Sequence, residues 1–331
     1  MTAHWANKNV LVTGAGGFIG SHLVEYLLAK GARVRAFVRY NSRGDPGLLR
    51  MLSTNDLNQI EIIAGDLEDE HAVHNAVQGI QVIFHLGAMI SIPYSYHHPV
   101  ETAKTNLLGT LNVLTAIHGS EVERMIHTSS SEVYGTAIMI PMSESHPLQG
   151  QSPYSASKIG ADKLVESFYC SFETPVVTVR PFNTYGPRQS ARAVIPTIIT
   201  QSLTKDTIHL GNQNTIRDYT FVTDTIAGLV KAAEVPGIEG EVLNLGTGQE
   251  ITISELAQKI IRKIGRTVEI TVDTVRLRPK NSEVMRLLSD NRHARKILGW
   301  EPEIDLDTGL DRTIDWINSH LDLYQIGTYV F

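Results

Sequence analysis

A tyrosine and a lysine four positions apart, Tyr154 and Lys158, are the residues of this chain best suited to acid–base chemistry. Residues with this spacing on a helix lie on one face. An ammonium beside a phenol favours the phenolate and lowers the pKa of a tyrosine from about 10 towards neutrality. Tyr154 is therefore predicted to act as a base on a substrate hydroxyl, with Ser130 holding the same oxygen. Because such pairs are also common as surface neighbours, the interpretation needs a second signal.

That signal is a glycine turn near the start of the chain. Residues 9–13 are apolar and strand-like, glycines follow at 14, 17 and 20, and a segment with helical apolar spacing comes next. A strand, glycine turn and helix in this order let the backbone approach a pyrophosphate, whose charge the helix N-terminus attracts. The residues predicted to bind a dinucleotide cofactor here are Gly14, Gly17, Phe18, Ile19 and Gly20.

The end of the second predicted strand, residues 33–38, bears on the choice of cofactor. An NAD site usually has a carboxylate at this point for the ribose 2′-hydroxyl, whereas this chain has Arg39 and Arg43 and no acid between them. Guanidinium groups suit a 2′-phosphate, so NADP is predicted and NAD is less favoured. The two arginines are also consistent with solvated loop charges. Asp66 and Leu67, after the third strand, are expected near the adenine.

Composition restricts the class of protein. The 331 residues are 42% hydrophobic and 19% charged, as in ordinary soluble enzymes, and the net charge of −6 disfavours nucleic acid as a partner. No apolar run reaches the roughly 18 residues of a membrane span, and no signal peptide is recognised, so a cytoplasmic location is expected. The histidines lack metal-ligand spacing, and no metal is predicted. The single cysteine, Cys170, lies in an apolar helical stretch, where an inert core thiol is expected.

Strand-like runs alternate with helical patterns, which predicts an α/β protein with a doubly wound, Rossmann-type parallel sheet. The predicted helices include 105–117 and 155–172. Residues 1–180 and 218–250 are assigned to the cofactor domain, and residues 181–217 and 251–331 to a smaller α/β lobe for the substrate. The predicted strands are 9–13, 33–38, 61–64, 82–86, 124–128, 176–180 and 242–246.

Motifs spread over most of the chain carry a family resemblance: TGAGGFIG (13–20), HTSSSEVYG (127–135), SPYSASKIGAD (152–162), RPFNTYGPRQ (180–189), RDYTFV (217–222) and LGW (298–300). The chain resembles extended short-chain dehydrogenases/reductases that act on nucleotide sugars. Within that group it is similar to 4,6-dehydratases of the LegB type, which serve legionaminic acid and related sugar pathways.

The resemblance implies a three-stage reaction on a nucleotide sugar such as UDP-GlcNAc or GDP-GlcNAc. Tyr154, Ser130 and Lys158 support oxidation at C4. Glu132 removes the C5 proton, which the C4 ketone makes acidic, and water leaves from C6. The stored hydride then returns to C6, so the cofactor stays bound. Relatives that act on dTDP-glucose have Asp-Glu at the positions of Ser131 and Glu132. The Ser-Glu pair of this chain resembles that of GDP-mannose dehydratases instead. The acid for the C6 hydroxyl is therefore either Ser131, as a relay, or Glu132 itself.

Further binding roles follow from the resemblance alone. Leu86, Ala88 and Asn106 are placed near the cofactor, although a core hydrogen bond also explains Asn106. The residues assigned to the substrate are Asn183, Arg188, Val194, Arg217 and Arg278. Both Arg217 and Arg278 correspond to diphosphate-binding positions. The alternative for each is an exposed surface arginine with no binding role. Relatives also pair through the helices after Asn106 and Tyr154, which implies a homodimer with a four-helix interface.

Three other functions remain open at this point. A 4-epimerase needs the same residues except Glu132, for which a salt bridge at the cleft rim is the alternative role. A 5,6-dehydratase or a C5-inverting enzyme uses the same groups as the 4,6-dehydratase. A non-catalytic, NADP-sensing protein of this fold is disfavoured, because Tyr154, Lys158 and Glu132 are all present.

Overall fold

A seven-stranded parallel sheet lies at the centre of the protein. The structure is a computed structural model, and it describes residues 4–324. The strands are β1 Asn9–Thr13, β2 Arg33–Arg39, β3 Glu61–Gly65, β4 Val82–His85, β5 Arg124–Thr128, β6 Val176–Pro181, β7 Asn183–Tyr185, β8 Thr207–Leu210, β9 Ile216–Arg217, β10 Tyr219–Phe221, β11 Val242–Leu245, β12 Ile251–Thr252 and β13 Glu269–Val272.

Helices pack on both faces of the sheet and against the smaller strands. They are α1 Phe18–Ala29, α2 Thr54–Leu57, α3 Glu70–Val77, α4 Ile92–His97, α5 Pro99–Ala103, α6 Gly109–Ile117, α7 Pro153–Phe172, α8 Val194–Thr204, α9 Val222–Glu234, α10 Ile253–Ile264, α11 Arg292–Leu298 and α12 Leu306–Ser319.

The strand order β11-β6-β5-β4-β1-β2-β3 reverses direction between β1 and β4. The chain runs outward from β1 through β2 to β3 and then crosses back to β4, so both neighbours of β1 are parallel to it. In sheets of this type, ligands bind beyond the carboxyl ends of the strands at the point of reversal. The doubly wound α/β fold predicted from the alternation of strands and helices is confirmed.

Burial explains why the central strands have little polar alternation. Val10 and Val12 of β1, Phe84 of β4 and Ile126 of β5 are completely buried, since helices cover both faces of the sheet. The smaller strands form separate pairs: β7 with β10, β9 with β12, and β8 with β13. Strand β11 lies beside β6 in the main sheet, although the four short strands β7 to β10 come between them in the sequence. The division into two domains stays a prediction.

Two helices differ in detail from the sequence pattern. The predicted helix 105–117 includes a π-helical turn, Lys104–Leu108, before α6 begins at Gly109. Helix α7 begins at Pro153, because Ser152 accepts a hydrogen bond from the Ser155 N–H and a proline is tolerated in the first turn. Its Cys170 is exposed, so the expectation of a core thiol was wrong. Helix periodicity placed the residue on a helix but on the wrong face.

Candidate active site

The glycine turn connects β1 to α1 and leaves no space for side chains. Gly14 has a φ of +67°, which favours glycine, and the Gly17 N–H donates to the Gly14 carbonyl at 3.0 Å. A Cβ on Gly20 would collide with the Gly14 carbonyl oxygen and lie 2.9 Å from Ala15 Cα. The N-cap of α1 is Gly17, which has no side chain to accept from the first helical N–H groups. The turn therefore fits a pyrophosphate held by backbone groups.

A cavity of about 1060 Å³ runs from this turn to the ends of β5 and β6. It is large enough for a dinucleotide together with a second ligand. Of the predicted residues, those that line it are Gly14, Gly17, Phe18, Ile19, Gly20, Arg39, Arg43, Leu86, Ala88, Ser130, Ser131, Glu132, Tyr154, Lys158, Asn183, Arg188 and Arg278. The structure thus brings together residues that are more than 260 positions apart in the sequence.

The two arginines after β2 have different surroundings. Arg39 lies 3.3 Å from a Glu101 oxygen and 3.9 Å from an Asp66 oxygen, so carboxylates already surround its guanidinium. Arg43 is exposed and lines the cavity, and its backbone N–H donates to the Asn41 side chain. Asp66 is not part of the cavity wall; it pairs with Arg39 instead. Of the two cations predicted for a 2′-phosphate, Arg43 is the one without a carboxylate at ion-pair distance among the described residues.

Two other predicted residues belong to the packing around the site. Leu67 is buried in the hydrophobic cluster beneath β3 and lies against Gly87 and Gly109. Asn106 is buried, and its amide bonds to the Met89 backbone N–H and carbonyl and to the Ser157 hydroxyl. These three bonds support the alternative of a core hydrogen-bonding role for Asn106. Neither Leu67 nor Asn106 lines the cavity.

Ser130, Tyr154 and Lys158 meet where β5 ends and α7 begins. Ser130 caps a short turn, and its hydroxyl accepts from the Glu132 N–H at 3.2 Å. Tyr154 and Lys158 lie one turn apart on α7, and both side chains are buried under the cavity. The Lys158 ammonium donates to the Thr128 carbonyl at 2.8 Å. This bond fixes the lysine against the end of β5, next to the serine.

The protonation states differ from the sequence prediction. Burial raises the pKa of Tyr154 to about 12, with hydrogen bonding to Ser130 acting in the opposite direction. Burial lowers the pKa of Lys158 to about 8. The expectation that Lys158 holds the pKa of Tyr154 near neutrality is wrong for this geometry. Desolvation of the phenolate dominates the pKa, and the Lys158 ammonium is bonded to the Thr128 carbonyl. The resting site contains a neutral phenol, and Ser130 is the neighbour that favours its ionisation.

Glu132 lies in the same cavity, beside an arginine from the far end of the chain. Its Oε1 is 3.5 Å from Arg278 Nη1, and Arg278 Nε is 3.9 Å from Glu283. Arg217 Nη2 is also 3.9 Å from Glu283, which makes a mixed cluster of two arginines and two glutamates. Glu132 is 12% exposed, so the cluster is shielded from bulk solvent. The carboxylate can reach a ligand in the cavity and also has a structural partner.

The residues predicted for the substrate separate into two groups. Asn183, Arg188 and Arg278 line the cavity; Arg188 also donates to Glu25 at 2.7 Å. Arg217 lies behind Arg278 and bonds to the Ile216 carbonyl, and burial lowers its pKa. Val194 begins α8 and packs on the hydrophobic core. Neither Arg217 nor Val194 is part of the cavity wall.

Several wall residues were missed by the sequence reasoning. They lie in the segments that follow β2, β4 and β7, including the first turn of α4, and are Pro46, Leu48, Ile90, Ser91, Pro93, Ser190 and Arg192 among others. The loops after β2 and β4 follow strands at the carboxyl edge of the sheet, which is a usable signal. The sequence gives no comparable signal for the loop after β7. Among the described residues, no cluster of acidic, histidine and cysteine side chains has the arrangement of a metal site. No helix within residues 4–324 is long and apolar enough to cross a membrane.

Comparison with known proteins adds to this geometry. The family model described as GDP-mannose 4,6 dehydratase matches residues 11–313. The dTDP-D-glucose 4,6-dehydratase of Homo sapiens is 31% identical over 319 residues, covering 93% of this chain and 89% of the relative. The UDP-glucose 4-epimerase of Mycolicibacterium smegmatis is 32% identical over 315 residues, covering 93% and 98%.

A solved structure shows the same likeness. The dTDP-glucose 4,6-dehydratase DesIV from Streptomyces venezuelae, described with NAD and TYD bound, superposes with a TM-score of 0.87 at 28% identity, covering 96% of this chain and 99% of that one. The doubly wound sheet and the Ser130–Tyr154–Lys158 site define an extended short-chain dehydrogenase/reductase. The chain belongs to the GDP-mannose 4,6-dehydratase family, whose relatives here are dehydratases and 4-epimerases.

Proposed function

We propose that the protein is a nucleotide-sugar 4,6-dehydratase that converts an NDP-hexose into its 4-keto-6-deoxy form. The observation that carries the proposal is the position of Glu132, whose carboxylate lines the same cavity as Ser130, Tyr154 and Lys158. A 4-epimerase oxidises C4 and reduces it again, and it needs no second base. A carboxylate beside the redox site supplies the group that removal of the C5 proton requires.

Each residue has a separate task in the proposed reaction. Ser130 and Tyr154 bind the C4 hydroxyl, and Tyr154 in its ionised, phenolate state accepts its proton as the carbonyl forms. A nicotinamide cofactor on the glycine turn supplies the hydride chemistry. Lys158, fixed by the Thr128 carbonyl, adds a positive charge near Tyr154 when the phenolate forms, although burial keeps the resting phenol neutral. Glu132 removes the C5 proton once C4 is a ketone, and Ser131 or Glu132 protonates the departing C6 hydroxyl. Buried Ser131 lines the cavity beside Glu132, in keeping with either role.

We propose UDP-GlcNAc as substrate, with GDP-GlcNAc as the alternative base, on the LegB-type resemblance. The M. smegmatis relative, named as a UDP-glucose 4-epimerase, supports a uridine nucleotide. Arg278 is proposed to hold the diphosphate, because it lines the cavity and its guanidinium suits phosphate oxygens. Asn183 and Arg188 are placed around the sugar and diphosphate.

We propose NADP as the cofactor, bound through Arg43. The support is the exposed guanidinium of Arg43 in the cavity wall, while Arg39 is already surrounded by Glu101 and Asp66. NAD is the alternative, since the S. venezuelae structure is described with NAD bound. Denaturing the purified protein and identifying the released nucleotide by chromatography distinguishes the two cofactors.

The 4-epimerase is the second candidate function. The observation in its favour is the 3.5 Å contact between Glu132 and Arg278, because an ion pair explains a carboxylate at this position without catalysis. Incubating the protein with UDP-GlcNAc and GDP-GlcNAc, without added cofactor, tests both candidates by mass spectrometry. The dehydratase gives a product lighter by one water. A product of unchanged mass with altered sugar NMR signals would establish the epimerase instead.

We also propose a homodimer through the helices that follow Asn106 and Tyr154, which are α6 with the π-helical turn before it and α7. Leu108 in that turn and Phe172 at the end of α7 are 43% and 52% exposed. Leu108→Glu with Phe172→Glu should give monomers in light scattering. Ile138→Glu is the matched control, because Ile138 is 65% exposed but lies outside these helices. A double variant that stays dimeric would refute this surface.

A further inference from the structure

A second charged group lies beneath the Tyr154–Lys158 pair and has no part in the reaction proposed above. Asp162 follows Lys158 by four residues on α7, so its side chain lies one turn further along the same face. It is 5% exposed and Lys158 is 3% exposed. A buried carboxylate requires partners for its charge, and these partners show what the residue is placed to do.

Both oxygens of Asp162 are fixed by neighbouring strands. Arg180 on β6 donates from Nε and Nη2 to Oδ2, at 3.1 and 2.9 Å. His127 on β5 contacts Oδ1 through Nε2 at 3.1 Å. Arg180 is itself held by the Tyr134 hydroxyl at 3.1 Å. The carboxylate therefore has one position in the core, set by two strands of the sheet.

The charges in this cluster follow from burial and contact. Burial opposes the charged form of Asp162, but the His127 hydrogen bond and the Arg180 guanidinium outweigh it and hold its pKa at about 2. Burial, with a further contribution from Lys158, lowers the pKa of His127, which is neutral at pH 7. At pH 7 the cluster contains one carboxylate, Asp162, and two cations, Arg180 and Lys158.

The groups packed around Lys158 from the other elements supply little negative charge. His85 on β4 is buried, and burial together with His127 and Lys158 holds its pKa well below its ordinary value, so it is neutral. Tyr154 and Tyr134 are phenols whose pKa values are raised by burial, and Asp162 itself adds to the rise at Tyr154. Burial lowers the pKa of Lys158 to about 8, and Asp162 is the group that opposes this effect. Glu132 lies on the cavity side and faces Arg278.

We propose that Asp162, fixed by Arg180 and His127, is a positioning residue that keeps the buried Lys158 ammonium charged beneath Tyr154. The role of Lys158 in catalysis rests on the proposed function, whereas the coupling of Asp162 to Lys158 does not. The carboxylate acts through the lysine and does not touch the ligand cavity. Without it, Lys158 loses its charge at lower pH, and the positive charge next to Tyr154 is lost with it.

Lysine-selective ¹⁵N NMR measures this coupling directly. The Nζ signal of Lys158 is assigned by its loss in Lys158→Gln and is then followed from pH 6 to pH 10. In Asp162→Asn the signal should titrate about one pH unit lower than in the unaltered protein, because the negative charge next to the buried lysine is removed. In Arg180→Gln it should titrate higher, because a cation that competes for Asp162 is removed. Glu166→Gln is the control, since it removes an exposed carboxylate one turn further along α7.

Opposite shifts in the two variants separate this role from a merely structural one. A disturbed core would shift the titration of Lys158 in the same direction in both variants, and that result would overturn the inference. An unchanged Lys158 titration in Asp162→Asn would overturn it as well. The Arg180→Gln arm remains informative if Asp162→Asn does not fold.

The rate of C4 oxidation provides a second readout. It is followed by the near-ultraviolet absorbance of reduced nicotinamide, a step that dehydratases and 4-epimerases share. Asp162→Asn should lose about tenfold more rate at the alkaline end of the pH range than at the acid end, which is the effect of a one-unit shift. Equal loss at every pH would contradict the proposal. If the protein oxidises no nucleotide sugar, the proposed function fails, while the NMR experiment still decides the role of Asp162.

Discussion

Replacement of Glu132 by glutamine should separate C4 oxidation from water loss. The variant keeps Ser130, Tyr154 and Lys158, so the first step is expected to change by less than about threefold. General bases contribute a factor of about 10² to 10⁴, so elimination should slow by that amount, which is about 3 to 5 kcal/mol in the barrier. The oxidised intermediate should therefore accumulate on the enzyme.

The structure offers a matched control for the loss of charge. Glu283 is 3.9 Å from the same Arg278 and does not line the cavity. Glu283→Gln removes a carboxylate from the same cluster and should retain water loss. Both carboxylates belong to a cluster shielded from solvent, and Glu283 is 3.9 Å from Arg217 as well as from Arg278. Each substitution should therefore cost more than the roughly 1 kcal/mol of an exposed pair, up to about 3 to 5 kcal/mol in the free energy of unfolding.

The assay is a single turnover in which reduced nicotinamide is followed by absorbance and the sugar product by mass. In Glu132→Gln the absorbance should rise and persist, with no product lighter by water. If Glu132 is only a partner of Arg278, the two variants will behave alike. Water loss within about threefold of the unaltered protein in Glu132→Gln would refute its assignment as the base.

Three more substitutions test other parts of the site. Tyr154→Phe should slow C4 oxidation by a factor of about 10² to 10⁴, measured by nicotinamide absorbance, with the melting temperature retained. Gly20→Ala forces a Cβ against the backbone of Gly14 and Ala15, which cannot rotate away; it should cost about 1 to 3 kcal/mol in thermal unfolding and yield protein with less bound cofactor. Arg43→Ala should weaken NADP binding about tenfold, measured by titration calorimetry, and leave NAD binding unchanged; equal loss for both cofactors would remove Arg43 from the 2′-phosphate site.

The fold was predictable because its signals are local. The apolar run of β1, the glycines after it and the helical spacing of α1 each depend on neighbours in sequence, and all three are confirmed. The predicted strands differ from the observed ones by one residue at most. Helix α10 shows the same kind of local signal, with a capping box of Thr252 and Glu255 at its start and Gly265 at its end.

The parts that failed depend on tertiary surroundings. The pKa of Tyr154 is set by desolvation, which the spacing of Tyr154 and Lys158 does not reveal. The position of Asp66 near the adenine stays a prediction, and its ion pair with Arg39 on the neighbouring strand is a contact that the sequence does not show. Arg278 and Glu132 meet from positions 146 residues apart, and no local pattern predicts that contact. Asp162 is the last residue of the SPYSASKIGAD segment, but its contacts with Arg180 and His127 come from neighbouring strands and have no local sequence signal.

The most direct test of the proposed dehydratase is the fate of the hydrogen at C4. UDP-GlcNAc carrying deuterium at C4 is incubated with the purified protein, and the product is examined by NMR. We predict that the deuterium appears at C6 of a 4-keto-6-deoxy sugar and that the hydrogen at C5 comes from solvent. Deuterium that remains at C4, in a sugar with inverted configuration there, would contradict the dehydratase and establish an epimerase.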